Sequence, residues 1–156
     1  MSETIRYALT FARCKTLMAT ARNNDNGKPI GNNTRLYEMW HRGDVSHYEV
    51  QLHGHVIMEV HKDGWVIDSC GWRSVTTKAR LNRYLPDEFV VKQKNGRWWL
   101  LSNPDYNEDQ WGKATEFTDG AFLHQNGKVF DSITTWWDDK YHGLDDIHLG
   151  CDEVVA

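Results

Sequence analysis

The stretch LHGHVIMEVHKDGWVIDSCGWRSVTTKARLNRYL, residues 52 to 85, decides the fold class. Within it, short apolar runs separated by turn residues hand over to a basic segment with helical spacing. Val50, Leu52, Val56, Met58 and Val60 share one phase of a two-residue alternation, and Gln51, His53, His55, Glu59 and His61 hold the other. That pattern predicts strands with one buried and one wet face. Ser74-Val75-Thr76-Thr77 offers hydroxyl caps and Pro86 closes the far end, so a helix is expected from about Thr77 to Leu85. On it Ala79, Leu81 and Leu85 can face the sheet, leaving Lys78, Arg80, Asn82 and Arg83 mainly for solvent.

Working outward, strands are expected at Thr34 to Trp40, Ser46 to His53, His55 to Val60 and Trp65 to Ser69. Arg42-Gly43-Asp44 and Lys62-Asp63-Gly64 supply turn residues, and Gly54 either bends the ribbon or makes a hairpin turn. Asn95-Gly96 joins a second hairpin, Phe89 to Gln93 and Arg97 to Leu101. Shorter strands follow at Ala121 to His124 and Lys128 to Asp131, around Gln125-Asn126-Gly127. Ile133 to Trp137 adds a strand, and Asp138 to Ala156 reads as a loop or tail. At the other end, Thr4 to Arg22 reads as an amphipathic helix with a basic face, followed by the polar loop Asn23 to Asn33. The fold class is therefore α+β: a mainly antiparallel twisted sheet of hairpins, covered on one side by an N-terminal helix and a short central helix.

A chain of 156 residues with 40% hydrophobic content is the size of one domain. It contains no run of 18 apolar residues to cross a bilayer, and MSETIRYALTFARCK lacks the apolar core of a secretory signal, so a soluble intracellular protein without a membrane partner is expected. Cys14, Cys70 and Cys151 are widely spaced and odd in number, which argues against a disulfide framework or a zinc knuckle. The doublets Trp98-Trp99 and Trp136-Trp137 would point to opposite faces if they lie on strands, placing at least one ring of each near the surface. Charge is unevenly spread. Residues 1 to 104 carry 15 Lys+Arg against 10 Asp+Glu, whereas residues 105 to 156 carry 3 against 12. The first part reads as a basic α+β core and the second as an acidic, aromatic C-terminal extension of the same domain.

The segments GNNTRLYE, YEVQLHGHVI and DSCGWRSVTTKARLNRYL, between Gly31 and Leu85, resemble a group of small bacteriophage-encoded proteins without an assigned activity. The matching residues are Gly31, Asn32, Asn33, Thr34, Leu52, His53, Gly54, Gly71, Trp72, Thr76, Thr77, Lys78, Arg80, Leu81 and Asn82. The resemblance implies a phage origin and an accessory role inside the infected bacterium, in the host cytoplasm.

Three constellations carry candidate chemistry. Thr76, Thr77, Lys78, Arg80 and Arg83 at a helix start complement phosphate oxygens through hydroxyls, backbone donors and guanidinium forks. Trp72, Trp98 or Trp99 can add base stacking. The competing reading is plain helix capping with a solvated polar face. Asp138, Asp139, Asp145, Asp146, Asp152 and Glu153 form a second group, whose carboxylates can imitate a nucleic-acid backbone or dock on a basic channel, unless they are simply a flexible acidic tail. His53-Gly54-His55 is the third, with His61, Glu59 or Cys70 as completing ligands of a metal. Ordinary surface histidines are the preferred reading, because a turn at Gly54 would splay the rings.

Asp68, Ser69 and Cys70 carry no signal of nucleophilic activation. The sequence thus reads as a non-enzymatic phage accessory protein, without cofactor or metal, that binds a nucleic-acid-handling host or defence complex in the manner of an anti-CRISPR inhibitor. Binding residues are expected among Trp72, Thr76, Thr77, Lys78, Arg80, Arg83, Asp138, Asp139, Asp145 and Asp146. Direct binding of DNA or RNA by Lys78, Arg80, Arg83, Lys92, Lys94 and Arg97 is the alternative, followed by a metal-assisted hydrolase centred on His53 and His55.

Overall fold

The computed structural model describes residues 6–20, 26–102 and 114–140. It is α+β, with a seven-stranded antiparallel sheet, a three-stranded antiparallel sheet and three helices. The large sheet runs in the order β1 (Lys28–Gly31), β2 (Thr34–His41), β3 (Asp44–Leu52), β4 (His55–Val60), β5 (Gly64–Ile67), β9 (Ala121–His124), β10 (Val129–Phe130). The small sheet holds β6 (Phe89–Lys94), β7 (Arg97–Ser102) and β8 (Thr115–Glu116). The change of composition after residue 104 is not a seam in the large sheet, because β9 pairs directly with β5.

Turn chemistry sets the meander. Arg42-Gly43, His53-Gly54 and Asn95-Gly96 all have positive φ at both positions, the requirement of the tight turn that matches strand twist. Gly54 therefore makes a turn rather than a bend. Asp63-Gly64 departs from expectation. Gly64 is a strand residue of β5, needed because a Cβ there would overlap the Leu123 carbonyl oxygen of β9. A bulge between the β3 and β4 registers lets Ile57 and Met58 both be buried, so the simple alternation through Val56 fails at that point.

One face of the large sheet holds Leu36, Tyr48, Val50, Met58, Val60, Trp65 and Ile67, and it closes a core with Leu81, Tyr84 and Leu85 and with Phe89, Val91, Trp98 and Leu100 of the small sheet. Helix α1 spans Phe11–Ala19, shorter than the expected Thr4 to Arg22. Thr10 caps it by accepting from the Arg13 N–H, and Cys14 and Met18 project into the core. Residues Tyr7 and Leu9 instead donate backbone hydrogen bonds to Arg83 and Tyr84, while Arg6 reaches the carbonyls of Leu85, Pro86 and Phe89.

Helix α2, Val75–Tyr84, starts two residues before the expected Thr77, because Ser74 is the cap that accepts from Thr77 N–H. Helix α3, Ile133–Lys140, replaces the strand expected at Ile133 to Trp137. The Ser132 hydroxyl accepts from Thr135 N–H at its start, and Trp136 packs on Phe122 of β9 with ring centroids 4.8 Å apart. Since Phe122 and Leu123 alternate on β9, and Leu123 belongs to the core, α3 covers the other face of the large sheet. Trp98 lies in the core and Trp99 is half-buried, while Trp136 is buried and Trp137 exposed.

Candidate functional site

The turn of β3–β4 and the start of α2 enclose a cleft of about 350 Å³, lined among others by His53, His55, Cys70, Trp72, Thr76 and Thr77. The LHG, GW and TTK segments thus meet in space. The GNNT turn lies behind them: its Asn33 carbonyl accepts from His53 N–H at 2.8 Å, and the Arg80 guanidinium donates to Thr34 Oγ1 at 3.0 Å and to Asn32 O at 3.4 Å.

Several residues read as phosphate-facing are structural. Thr77 is buried and shares a hydrogen bond with the Ser74 hydroxyl. Arg80 is spent on the GNNT turn. Lys78 donates to Gln93 Oε1 at 3.3 Å, and the Arg83 guanidinium lies over the Tyr84 ring at 5.7 Å. Asn82 is not solvent-facing: it accepts from Val91 N–H at 2.8 Å and donates to Val91 O at 2.9 Å. Trp98 is in the core, so it cannot stack on a base. Exposed at the cleft are Thr76 and Trp72, the latter 64% accessible, with Val75 at 77% beside them.

Asp138 and Asp139 are exposed on α3, whereas Asp145, Asp146, Asp152 and Glu153 lie outside the described residues. The β6–β7 hairpin holds a second cleft of about 390 Å³ lined by Lys94, Asn95, Arg97 and Trp99. Arg97 stands 3.9 Å from Glu116.

The cleft lacks the marks of an activated nucleophile. Burial, then the carboxylates of Asp68 and Asp119, push the Cys70 thiol above its ordinary value, the reverse of a reactive thiolate. Its Sγ donates to Val56 O. Ser69 is buried and donates both its N–H and its hydroxyl to Asp119.

Among the described residues, the metal-ligand grouping falls elsewhere than at His53, in the β3–β4 turn, and His55, at the start of β4. On the face of the large sheet opposite the core, β3 presents His47 and Glu49, and β4 and the residue after it present Glu59 and His61. The register sets Glu49 opposite Glu59, and the two imidazoles stack at 4.7 Å. His61 Nε2 lies 2.7 Å from Glu59 Oε1, and His47 Nε2 lies 3.6 Å from Glu49 Oε2 and 4.0 Å from Glu59 Oε1. A hydrogen bond from His61 holds the Glu59 carboxyl below its usual range, against a smaller opposing effect of burial. His47 and Glu49 are the residues that sequence reasoning misses. The signal is a mirrored pair, His-x-Glu at 47–49 and Glu-x-His at 59–61, which means little until the two strands are known to be neighbours.

No helix among the described residues is long and apolar enough to cross a membrane. Comparison with curated proteins and with solved structures returned no match. A family model does match: that of the Kyanoviridae Gp96 protein, over residues 13–124, which takes in the meander, α2, the small sheet and β9. With well over half of its length matched by this model, the chain belongs to the phage-encoded Kyanoviridae Gp96 protein family.

Proposed function

We propose that the chain is a non-enzymatic phage accessory protein that docks on a nucleic-acid-handling host or defence complex of the infected cell, in the manner of an anti-CRISPR inhibitor. The observation that carries this reading is the rim of the β3–β4/α2 cleft, where Trp72 and Val75 stand 64% and 77% exposed. Exposed tryptophans bordering a pocket are the side chains that anchor protein interfaces. The exposed carboxylates of Asp138 and Asp139 add an acidic surface suited to steering toward a basic partner. The α2 cations favour protein over phosphate as the ligand, since Arg80 and Lys78 already hold partners within the chain.

The test is affinity capture from host lysate with the wild type and with Trp72→Ala/Val75→Ser in parallel. The reading expects a nucleic-acid-handling complex retained by the wild type and lost by the variant. Equal recovery by both, or none at low salt, overturns it.

Direct nucleic-acid binding is a second reading, supported by the grouping of Lys94, Arg97 and Trp99 around one cleft. It requires retention of DNA or RNA that falls steeply with salt and that Lys94→Ala/Arg97→Ala weakens. An unchanged gel shift removes this hairpin as the contact.

A further inference from the structure

We propose that His47, Glu59 and His61, with Glu49 beside them, form a binding site for one divalent cation of the Zn²⁺ class on the outer face of the large sheet. One ring nitrogen of each histidine and a carboxylate oxygen of Glu59 all lie within 4.8 Å of one another. Ligand bonds of about 2.0–2.2 Å place the donor atoms of a tetrahedral zinc site about 3.4 Å apart. The contacts at 2.7 Å and 4.0 Å that Glu59 makes to His61 and His47 bracket that separation, so small side-chain rotations admit the ion.

Three further features favour a cation over a chance cluster. Glu49 and Glu59 face each other directly across β3–β4, and like charges so placed oppose strand pairing unless something positive lies between them. Among the described residues, the ion pairs of these two carboxylates are with His47 and His61. The donors are also held in place from behind: Ser46 Oγ lies 2.9 Å from His47 Nδ1, leaving Nε2 for the ion, and Gln51 donates to Glu49 Oε1 at 3.1 Å. Finally, the site sits on rigid strands yet is not sealed. The side chains of His47, Glu59 and His61 are 19%, 31% and 18% exposed, and His61 borders a cleft of about 540 Å³ beneath α3.

Two imidazoles and carboxylate oxygens suit Zn²⁺ and its first-row neighbours, whereas Ca²⁺ and Mg²⁺ prefer oxygen alone. Two carboxylates against one divalent ion give local neutrality. With Glu49 as fourth ligand the site is closed and pins β3 to β4; with Glu49 held back by Gln51, the fourth position is left to water.

The full chain, stripped with a chelator, is titrated with Zn²⁺ by calorimetry and with Co²⁺ by visible absorption. The expected result is one ion per chain at micromolar affinity or tighter, with cobalt ligand-field bands and no thiolate charge-transfer band. His47→Gln/His61→Gln should weaken binding at least 100-fold while circular dichroism stays native, and Ser46→Ala should weaken it about 10-fold. Glu59→Gln gives a second, less intrusive loss of a ligand if the double variant does not fold. His53→Ala/His55→Ala, at the far turn, should bind as the wild type does. Failure of the wild type to bind, or undiminished binding by the His47 and His61 variants, overturns the site.

Discussion

Replacing Asn82 with alanine tests whether α2 serves the fold rather than a phosphate. β6 is an edge of the small sheet, so every second residue turns its N–H and C=O away from β7. At Val91, which is 1% exposed, the Asn82 side-chain amide takes both groups, acting as a one-residue strand. Alanine removes both hydrogen bonds and leaves a buried donor and a buried acceptor, each costing about 1–3 kcal/mol. Water entering the vacated edge recovers part of this, so a loss of about 3 kcal/mol is expected. For a chain of this size that corresponds to a Tm lower by about 6–12 °C. Asn82→Asp keeps the acceptor for Val91 N–H but sets an oxygen against Val91 O, so it should not restore stability. Urea unfolding followed by tryptophan fluorescence measures the loss, with the m-value unchanged if the native state is otherwise intact. A loss below about 1 kcal/mol, combined with weakened binding of any nucleic acid, would refute the structural role and return Asn82 to the binding surface.

Other substitutions separate core from surface. Trp98→Ala should cost about 3–5 kcal/mol by opening the core, whereas Trp72→Ala should change stability by no more than about 0.5 kcal/mol, both read by urea denaturation. Gly64→Ala should fail to give a native fold or melt far lower, because its methyl meets the Leu123 carbonyl and parts β5 from β9; an unaltered melting curve contradicts the pairing. Ser74→Ala removes the cap of α2 and should cost about 1 kcal/mol in the same assay. Burial pushes the Cys14 thiol up to about 12 from an ordinary 9.0, so the unfolded chain releases that proton first as pH rises. The associated stability is whole below pH 9, falls by about 1.4 kcal/mol per pH unit above it and is gone past the folded value. Denaturation series at pH 8, 10 and 11 should show the fall, and Cys14→Ala should make it shallower without abolishing it, because burial also raises the Cys70 thiol and the Tyr48 and Tyr84 hydroxyls.

Much of the fold is legible in the sequence where the signal is local. Asn95-Gly96 and the two flanking apolar runs specify their hairpin, and His55 to Val60 and Ala121 to His124 appear at their expected bounds. Failures arise where a distant partner decides. Ile133-Thr-Thr-Trp-Trp has the β-branched and aromatic composition of a strand, yet the Ser132 cap and the packing of Trp136 on Phe122 make it helical. Arg80 and Asn82 sit on the polar side of a helical wheel, and only the GNNT turn, 46 residues away, and the β6 edge, nine residues on, reveal what they hold. Of the candidate site, Trp72 and Thr76 line a cleft that only the folded chain assembles, from the β3–β4 turn and the start of α2, and the His47, Glu49, Glu59 and His61 group depends on a register that no local pattern conveys.

The order of strands also has a consequence for synthesis on the ribosome. β5 ends at Ile67, but its neighbour β9 begins only at Ala121, after the whole small sheet has been made. At about 5–20 residues per second, the nascent chain carries Gly64-Trp65-Val66-Ile67 for roughly 3–10 s before the strand that covers them is made. An open apolar edge of that kind is a template for pairing with other chains. Wherever several copies are translated side by side, rapid passage through the Asn95-Gly96 hairpin and quick delivery of β9 to its place are therefore favoured.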